Sequence, residues 1–240
     1  MDGLAYSSQT GLFGYELSGT QSRLVRINES NGQVTTVGGF LSGDFRGAAF
    51  FGNELLVLDS ATNRILTIDV SNGAIVSSAA LMRGASSYNL GNSVDLAVNN
   101  GTVYVVEGGR TGSGPITTGN GVFGTNFFSL DVSTGLLTLL YQDLINEAGV
   151  NQRLVGTGVA FEPGSSLAYL SEMNSGDGIF RYNVASGFAR IRLTAEVVPT
   201  TNSGRGDLAS DSAPIPEPAT LGLIGAGLAA FALFFRRRKV

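Results

Sequence analysis

Apolar and polar residues alternate along most of the chain, and the alternation recurs in four similar segments. These segments read "RINESNGQVTTVGG", "TIDVSNGAIVSSAA", "SLDVSTGLLTLLYQ" and "RYNVASGFARIRLT", and each holds an Asp or Asn four residues before a Gly. The four pairs are Asn28/Gly32, Asp69/Gly73, Asp131/Gly135 and Asn183/Gly187. An Asp or Asn side chain bonds backbone two residues on, and Gly adopts the positive φ that closes a tight loop. Each segment therefore predicts a β-hairpin.

A second series of short segments precedes the hairpins. "GLAY", "GAAF", "DLAV" and "GVAF" place Ala5, Ala49, Ala97 and Ala160, and "DLAS" adds a fifth copy at Ala209. Apolar runs at residues 55–58, 103–106 and 167–170 lie between the two series. Each unit is therefore predicted to hold four strands: a strand of small residues, an apolar strand and a hairpin pair.

The repeat length points to a β-propeller. Units of about 40–50 residues with four strands each are typical of propeller blades, and small residues suit inner strands that crowd around a channel. The body resembles bacterial repeat propellers, whereas a β-sandwich, the main rival, has no reason to repeat at this period. We expect an all-β fold over residues 1–210, with four full blades and the inner strand of an incomplete fifth at Ala209.

The incomplete fifth blade raises a question about the N-terminus. The three partners of the Ala209 strand would lie upstream of Met1, and residues 1–20 hold no signal peptide. We therefore expect the natural protein to extend further at its N-terminus.

The C-terminal end has a different pattern. Residues 219–235 carry no charge and only one polar residue, Thr220. A helix of this length spans about 25 Å, the short end of what crosses a bilayer. Four basic residues follow directly, namely Arg236, Arg237, Arg238 and Lys239. Because basic residues stay on the cytoplasmic side, we expect a single transmembrane helix with a cytoplasmic tail at 236–240; the alternative is a buried core helix.

A Pro-rich linker at residues 211–218 joins the body to this helix, and its last three residues form a motif. Pro216-Glu217-Pro218, a short apolar helix and an Arg cluster, in that order, resemble the PEP-CTERM sorting signal of exported bacterial proteins. The resemblance implies processing by an exosortase, a membrane protease/transpeptidase that cuts at or near Pro-Glu-Pro. It assigns recognition to Pro216, Glu217 and Pro218, and orientation to Arg236, Arg237, Arg238 and Lys239.

The same resemblance implies a location and a partner. It places the body on the periplasmic side of a Gram-negative inner membrane, and later at the cell surface or in the extracellular matrix. Because such hosts often make exopolysaccharide, extracellular polysaccharide is an expected partner.

Composition excludes several classes of site. The chain has no Cys and no His, which rules out thiol nucleophiles, His-dependent triads and zinc sites built on these residues. Residues 1–218 carry 11 Arg and all 19 acids, a formal charge of −8. An acidic body without a basic patch argues against nucleic acid as a partner.

Candidate binding residues are few. Residues 107–126, rich in Gly and Thr, and the more polar residues 142–153, which can form a short helix, are predicted surface loops where a ligand can bind; decoration without a ligand is the alternative. Asp95 and Asp207 occupy equivalent places in two inner strands. They can hold Ca²⁺ through oxygens, but we favour bonds to backbone, and we expect no metal and no cofactor.

Four aromatic residues are further candidates: Tyr6, Phe50, Phe161 and Tyr169. We interpret them as core or channel residues; sugar stacking is the alternative.

The sequence therefore predicts an exported, non-catalytic protein with a binding or structural body. The alternative is a propeller hydrolase or lyase that uses carboxylates, with or without Ca²⁺, on extracellular polysaccharide. The enzyme hypothesis gains weight if three or more acidic residues meet at one channel mouth. The five candidates are Asp95, Glu107, Asp131, Glu172 and Asp207.

Overall fold

The computed structural model describes residues 2–91, 93–109, 124–144, 155–173 and 178–192. Within these ranges the chain forms β-strands and a single 3-10 turn, Val184–Ser186. These described strands make four separate sheets, which are four blades of a β-propeller. The predicted all-β fold and the four predicted blades are confirmed.

Each blade is built on four antiparallel strands that follow one another along the chain, and the sheet of the third blade has two further short strands at its outer edge. The first blade holds β1 (Asp2–Ser7), β2 (Gly11–Ser18), β3 (Gln21–Ile27) and β4 (Val34–Ser42). The second holds β5 (Phe45–Phe51), β6 (Glu54–Asp59), β7 (Arg64–Ile68) and β8 (Ile75–Ala80). The third holds β11 (Ser93–Asn99), β12 (Thr102–Gly109), β13 (Gly124–Asp131) and β14 (Leu136–Leu144). The fourth holds β15 (Val155–Phe161), β16 (Leu167–Met173), β17 (Gly178–Asn183) and β18 (Ala189–Arg192).

A small additional hairpin lies between the second and third blades. It consists of β9 (Met82–Arg83) and β10 (Ser86–Ser87). β9 pairs in parallel with the outer strand β14, where Met82 lies opposite Leu136. The sequence pattern did not predict this hairpin, since two-residue strands are too short to show an alternation.

The inner strands β1, β5, β11 and β15 pack side by side in that order. Tyr15 and Phe13 of β2, which lie opposite Asp2 and Ala5 of β1, contact Phe45 and Phe50 of β5 respectively. Successive inner strands therefore run in the same direction. One end of the molecule, called here the hairpin end, carries the turns between the first and second and between the third and fourth strands of the blades. The opposite end carries the connections from one blade to the next.

Close approach of the inner strands explains their small residues. A Cβ on Gly3 would lie 2.9 Å from the carbonyl oxygen of Arg46, and a Cβ on Gly47 would lie 2.6 Å from the Cα of Asp95. Both distances are too short for a side chain. The prediction that Gly and Ala mark the inner strands is confirmed.

The predicted hairpin turns are also confirmed. The Asp or Asn side chain accepts a hydrogen bond from the backbone N–H two residues on in all four turns, at 2.8–3.1 Å. The φ angles of Gly32, Gly73, Gly135 and Gly187 are +71°, +75°, +73° and +70°. The fourth turn differs in that it contains the 3-10 turn, which begins after Asn183.

The core consists of three apolar layers between neighbouring blades. In β6, Leu55 and Val57 belong to the layer shared with the first blade, while Leu56 and Leu58 belong to the layer shared with the third. A third layer joins the third and fourth blades. A middle blade has a neighbouring blade on each face, so both faces of its second strand are buried. The sequence of that strand is therefore a continuous run of apolar residues and does not alternate with polar ones.

The first predicted surface loop begins and ends inside strands, and the second begins inside a strand, which corrects these boundaries. The end of β12 and the start of β13 take up residues 107–109 and 124–126, and the end of β14 takes up residues 142–144. The prediction took the high content of Gly and polar residues as a sign of exposed loops. These strand ends instead bury their polar side chains. The remainder of both loops lies outside the described residues.

Several other predictions fall outside those ranges as well: the Ala209 strand, the linker at 211–218, the helix at 219–235 and the tail at 236–240. In the part of the chain that the structure describes, no helix is long and apolar enough to span a membrane.

Candidate functional site

A groove opens between the second and third blades at the hairpin end. Its volume is about 620 Å³. The turn after β5 and the turn after β11 form its inner part, the β13–β14 turn forms one wall, and β7 and β8 form the other. Four segments far apart in the sequence therefore meet there because the two blades are neighbours.

The groove has an apolar floor and a wall of hydroxyl groups. Val103 and Leu130 are 3% and 6% exposed and lie beneath it, beside the half-buried ring of Phe51. On the wall of the second blade, the Ser77 hydroxyl donates a hydrogen bond to the Thr67 hydroxyl over 3.0 Å. Hydroxyl groups both donate and accept hydrogen bonds, so this wall suits a polar, uncharged ligand group.

Two carboxylates complete the lining, Glu54 and Asp131. The Asp131 carboxylate accepts hydrogen bonds from the backbone N–H of Ser133 at 2.9 Å and from its hydroxyl at 2.7 Å. The hydrogen bond from the Ser133 side chain is the main cause that lowers the pKa of Asp131. The groove therefore carries a fixed negative charge, and none of its described lining residues is basic.

Asp95 lies elsewhere, at the seam between the third and fourth blades. Its side chain is 2% exposed. Its two oxygens accept hydrogen bonds from the backbone N–H of Leu96 at 2.7 Å and of Val159 at 2.6 Å. The bond to Val159 ties the inner strand β11 to the inner strand β15. The interpretation of Asp95 as a residue that bonds backbone is confirmed.

Glu107 is fully buried on the opposite face of the same blade. It accepts hydrogen bonds from the Tyr88 hydroxyl and the Gly91 backbone N–H, both at 2.5 Å, and from the Asn126 amide at 3.3 Å. Burial, followed by the charge of Glu107, raises the pKa of Tyr88. These hydrogen bonds of Glu107 hold the segment that connects the second and third blades against β12.

Sequence reasoning missed this network. It assigned Glu107 and Asn126 to a surface loop, whereas Asn126 is 2% exposed and receives a further hydrogen bond from Gln142 at 2.8 Å. Glu107 directly follows the apolar run at 103–106. Continuation of the strand was the signal that could have identified it, but the following Gly residues obscured it.

The five acidic candidates named from the sequence do not meet at one place, as far as the structure describes them. Asp95 lies opposite Val106, and Glu107 lies opposite Val94, so the two carboxylates occupy successive positions on opposite faces of the sheet. Asp131 lies at the hairpin end, exposed to solvent. Glu172 belongs to β16 in the fourth blade, and Asp207 lies outside the described residues. Across the described ranges, no three His, Cys, Asp or Glu residues cluster so as to hold a metal ion.

The four candidate aromatic residues lie in the first, second and fourth blades. Phe50 is buried against Phe13, with 5.8 Å between ring centroids, and Phe161 packs on Tyr104 at 4.8 Å. Both are core residues, as expected. Tyr6 in β1 and Tyr169 in β16 are half-buried.

The residues predicted to direct sorting lie outside the described residues. They are Pro216, Glu217, Pro218, Arg236, Arg237, Arg238 and Lys239. Comparison with known proteins nevertheless bears on them. Residues 214–239 match the PEP-CTERM protein-sorting motif, which includes all seven. The motif implies an exported protein that exosortase processes, with transient passage through the membrane to the cell surface.

No curated protein matches the chain in sequence. Among solved structures, the chain is similar to one in a nidogen/laminin complex, with 14% identity, a TM-score of 0.51, and coverage of 81% of this chain and 65% of that one. It is also similar to Myxococcus xanthus glutaminyl cyclase, with 16% identity, a TM-score of 0.48, and coverage of 82% and 72%. An oligogalacturonate lyase in complex with manganese shows 11% identity, a TM-score of 0.48, and coverage of 85% and 55%. The likeness to the nidogen/laminin chain concerns the fold alone.

Proposed function

We propose that this protein is an exosortase substrate whose propeller body works outside the cytoplasm as a non-catalytic binding module. The observation that carries the proposal is the sorting motif at residues 214–239. In this proposal Pro216, Glu217 and Pro218 are recognised by the exosortase, and they confer no catalysis on the chain itself.

The proposal assigns the apolar segment at 219–235 to the membrane. Its uncharged stretch is followed by Arg236, Arg237, Arg238 and Lys239. These cations favour the cytoplasmic side, so the body emerges on the periplasmic side and is released or transferred when the exosortase cuts.

The acidic residues that the sequence offered as catalytic candidates lie apart wherever the structure describes them, which supports a binding role over the hydrolase or lyase alternative. Carboxylate-based hydrolysis needs a pair of acidic groups flanking one bond. Asp95 and Glu107 are instead engaged with backbone and side-chain donors on opposite faces of one blade. Extracellular polysaccharide is the partner that we propose for the body.

Replacement of the motif tests the sorting proposal. We expect a Pro216→Ala/Glu217→Ala/Pro218→Ala variant to remain full-length in membranes, because the exosortase no longer recognises it. Intact-mass measurement of the membrane-bound and surface-released protein distinguishes precursor from product. Pro199→Ala is the matched control, since it removes a proline upstream of the matched residues and should leave processing unchanged.

Processing of the triple variant at the wild-type rate and position would contradict this proposal. A strain without exosortase provides the second comparison, in which the wild-type chain should remain full-length and membrane-bound.

A further inference from the structure

We propose that the groove between the second and third blades binds a short, uncharged oligosaccharide. The inference rests on the proposed function of the body as a binding module, and it names the site and the chemical class of the ligand. No part of the sorting signal contributes to it.

The size and walls of the groove suit a short chain of sugar rings. Its volume of about 620 Å³ lies within the usual range of small-molecule sites, roughly 300–1,000 Å³. Phe51, Val103 and Leu130 offer an apolar surface to the C–H faces of sugar rings.

The hydrogen-bonding groups of the groove match sugar hydroxyls. Thr67 and Ser77 present hydroxyls on one wall, and hydroxyls both donate and accept. The hydroxyl of the adjacent Ser78 lies on the other face of the strand, where it accepts a hydrogen bond from Arg64 at 2.7 Å. Glu54 and Asp131 only accept when ionised. A sugar hydroxyl donates to a carboxylate and accepts from the Thr67 hydroxyl, which itself accepts from Ser77, so it satisfies both kinds of group at once.

The negative charge of the groove disfavours the binding of acidic sugars. The described lining includes two carboxylates and no Arg or Lys to offset them. Hydrogen bonds from Ser133 keep the Asp131 carboxylate ionised, so a uronate or sulfate in the groove would meet a like charge. A basic peptide matches the carboxylates, but its Lys and Arg side chains only donate, so they leave the hydroxyl donor of this wall without an acceptor.

Titration of the full-length protein with matched hexasaccharides tests the proposal. The uncharged probes are hexamers of α-1,4-glucose, β-1,4-glucose and β-1,4-mannose, and the charged probe is a hexamer of galacturonic acid. We expect at least one uncharged hexamer to bind with a Kd of about 1 mM or tighter, and the galacturonate hexamer to bind at least about tenfold more weakly. Isothermal titration calorimetry measures both.

A pair of equivalent aspartates provides the matched variants. Asp131→Asn removes a charged acceptor from the groove, and should weaken binding of the uncharged hexamer about three- to tenfold. The variant is expected to fold because Asn28 and Asn183 support the same turn in the first and fourth blades. Asp69→Asn makes the same change in the second blade, outside the groove lining, and should leave binding unchanged.

Three results would each overturn the proposal. They are no binding of any uncharged hexamer, equal binding of the galacturonate hexamer, and an equal effect of the two Asn variants. Displacement of a bound sugar by hexa-arginine, with tighter binding of that peptide, would assign the groove to a cationic peptide instead. Because exosortase processing is measured separately on membrane fractions, failure here leaves the sorting proposal standing, and failure of processing leaves this one standing.

Discussion

Asp95 and Glu107 show how single residues join the blades. Both are buried carboxylates, and both accept hydrogen bonds from backbone N–H groups of another segment. A buried donor left without an acceptor costs about 1–3 kcal/mol. These two residues therefore stabilise the seams on either side of the third blade, where apolar packing alone does not specify the register of one strand against another.

We expect Asp95→Asn to lower the free energy of unfolding by about 1–3 kcal/mol. The amide offers one acceptor oxygen in place of two, so either Leu96 or Val159 loses a hydrogen bond to its backbone N–H. Urea denaturation followed by circular dichroism measures the change. Asp69→Asn, at an exposed turn, is the control, and an equal loss in the two variants would show that the Asp95 carboxylate is not a structural link.

Buried tyrosines make the body sensitive to alkali. Burial raises the pKa of Tyr15, and burial together with Glu107 raises the pKa of Tyr88. A tyrosine in the unfolded chain ionises near pH 10, while these two keep their protons in the folded state. The stability that they contribute is thus fully present below about pH 10 and declines as the pH rises further.

We expect Tyr15 and Tyr88 to ionise only when the protein unfolds in alkali. Tyrosinate absorbance and far-ultraviolet circular dichroism, recorded over the same pH titration, measure the two events. In Tyr88→Phe the unfolding free energy should fall less steeply with pH above about 10. Complete ionisation of all tyrosines in a protein that keeps its native circular dichroism would contradict the assignment.

At the scale of the elements, the hairpin turns of the middle blades have a second role. Gly73 and Gly135 each approach the backbone of the outer strand of the preceding blade. A Cβ on Gly73 would lie 2.5 Å from the carbonyl oxygen of Val37, and a Cβ on Gly135 would overlap the carbonyl oxygen of Ala80. Met82 also donates its backbone N–H to the Gly135 carbonyl at 2.9 Å. These turns both reverse the chain and dock one blade on the next.

Comparison of two glycines separates these roles. Gly32 and Gly135 have nearly the same φ, +71° and +73°, but a Cβ on Gly32 meets nothing within 4 Å. We expect Gly32→Ala to cost about 1–2 kcal/mol, from the left-handed backbone alone. Gly135→Ala should cost about 1–3 kcal/mol more, because the methyl group forces the two blades apart.

Urea denaturation of the two variants side by side measures the difference. Equal losses of stability would mean that the Gly135 turn moves away from the second blade at no cost, which would contradict its docking role.

At the scale of the whole molecule, charge is divided between the body and the tail. The chain has a formal net charge of −4, while residues 1–218 carry −8. Removal of the tail at the sorting motif therefore takes away four positive charges and the most apolar segment together. In the function that we propose, processing therefore leaves a markedly acidic body.

We expect the processed protein to focus at a lower pH than the precursor, whose sequence pI is about 4.8. Isoelectric focusing of protein from strains with and without exosortase measures the shift. The control is a variant in which Gln replaces all four basic residues of the tail, Arg236→Gln/Arg237→Gln/Arg238→Gln/Lys239→Gln. Its uncut precursor should also focus at a lower pH than the wild-type precursor. An unchanged isoelectric point on processing would mean that all four basic residues remain on the processed protein, which would contradict a cut at the sorting motif.

Local patterns determined the strands, the turns and the tail. The Asp or Asn to Gly spacing predicted all four hairpins, since both residues act within a few positions of each other in the chain. The Ala and Gly series identified the inner strands, and the Pro-Glu-Pro motif with its apolar segment and cations identified the sorting signal. Each of these features depends on neighbours in the sequence, which is why the sequence alone sufficed.

The tertiary structure decided what lies between the blades. Glu107 and Asn126 looked like loop residues, and only the packing of the connection against β12 shows that they are buried. The groove is likewise absent from any local pattern, because Phe51, Thr67 and Asp131 meet only when two blades stand side by side. The alternation of apolar residues and the chemistry of the turns are set by residues a few positions apart in the chain. The contacts between two sheets depend instead on which of their faces pack together.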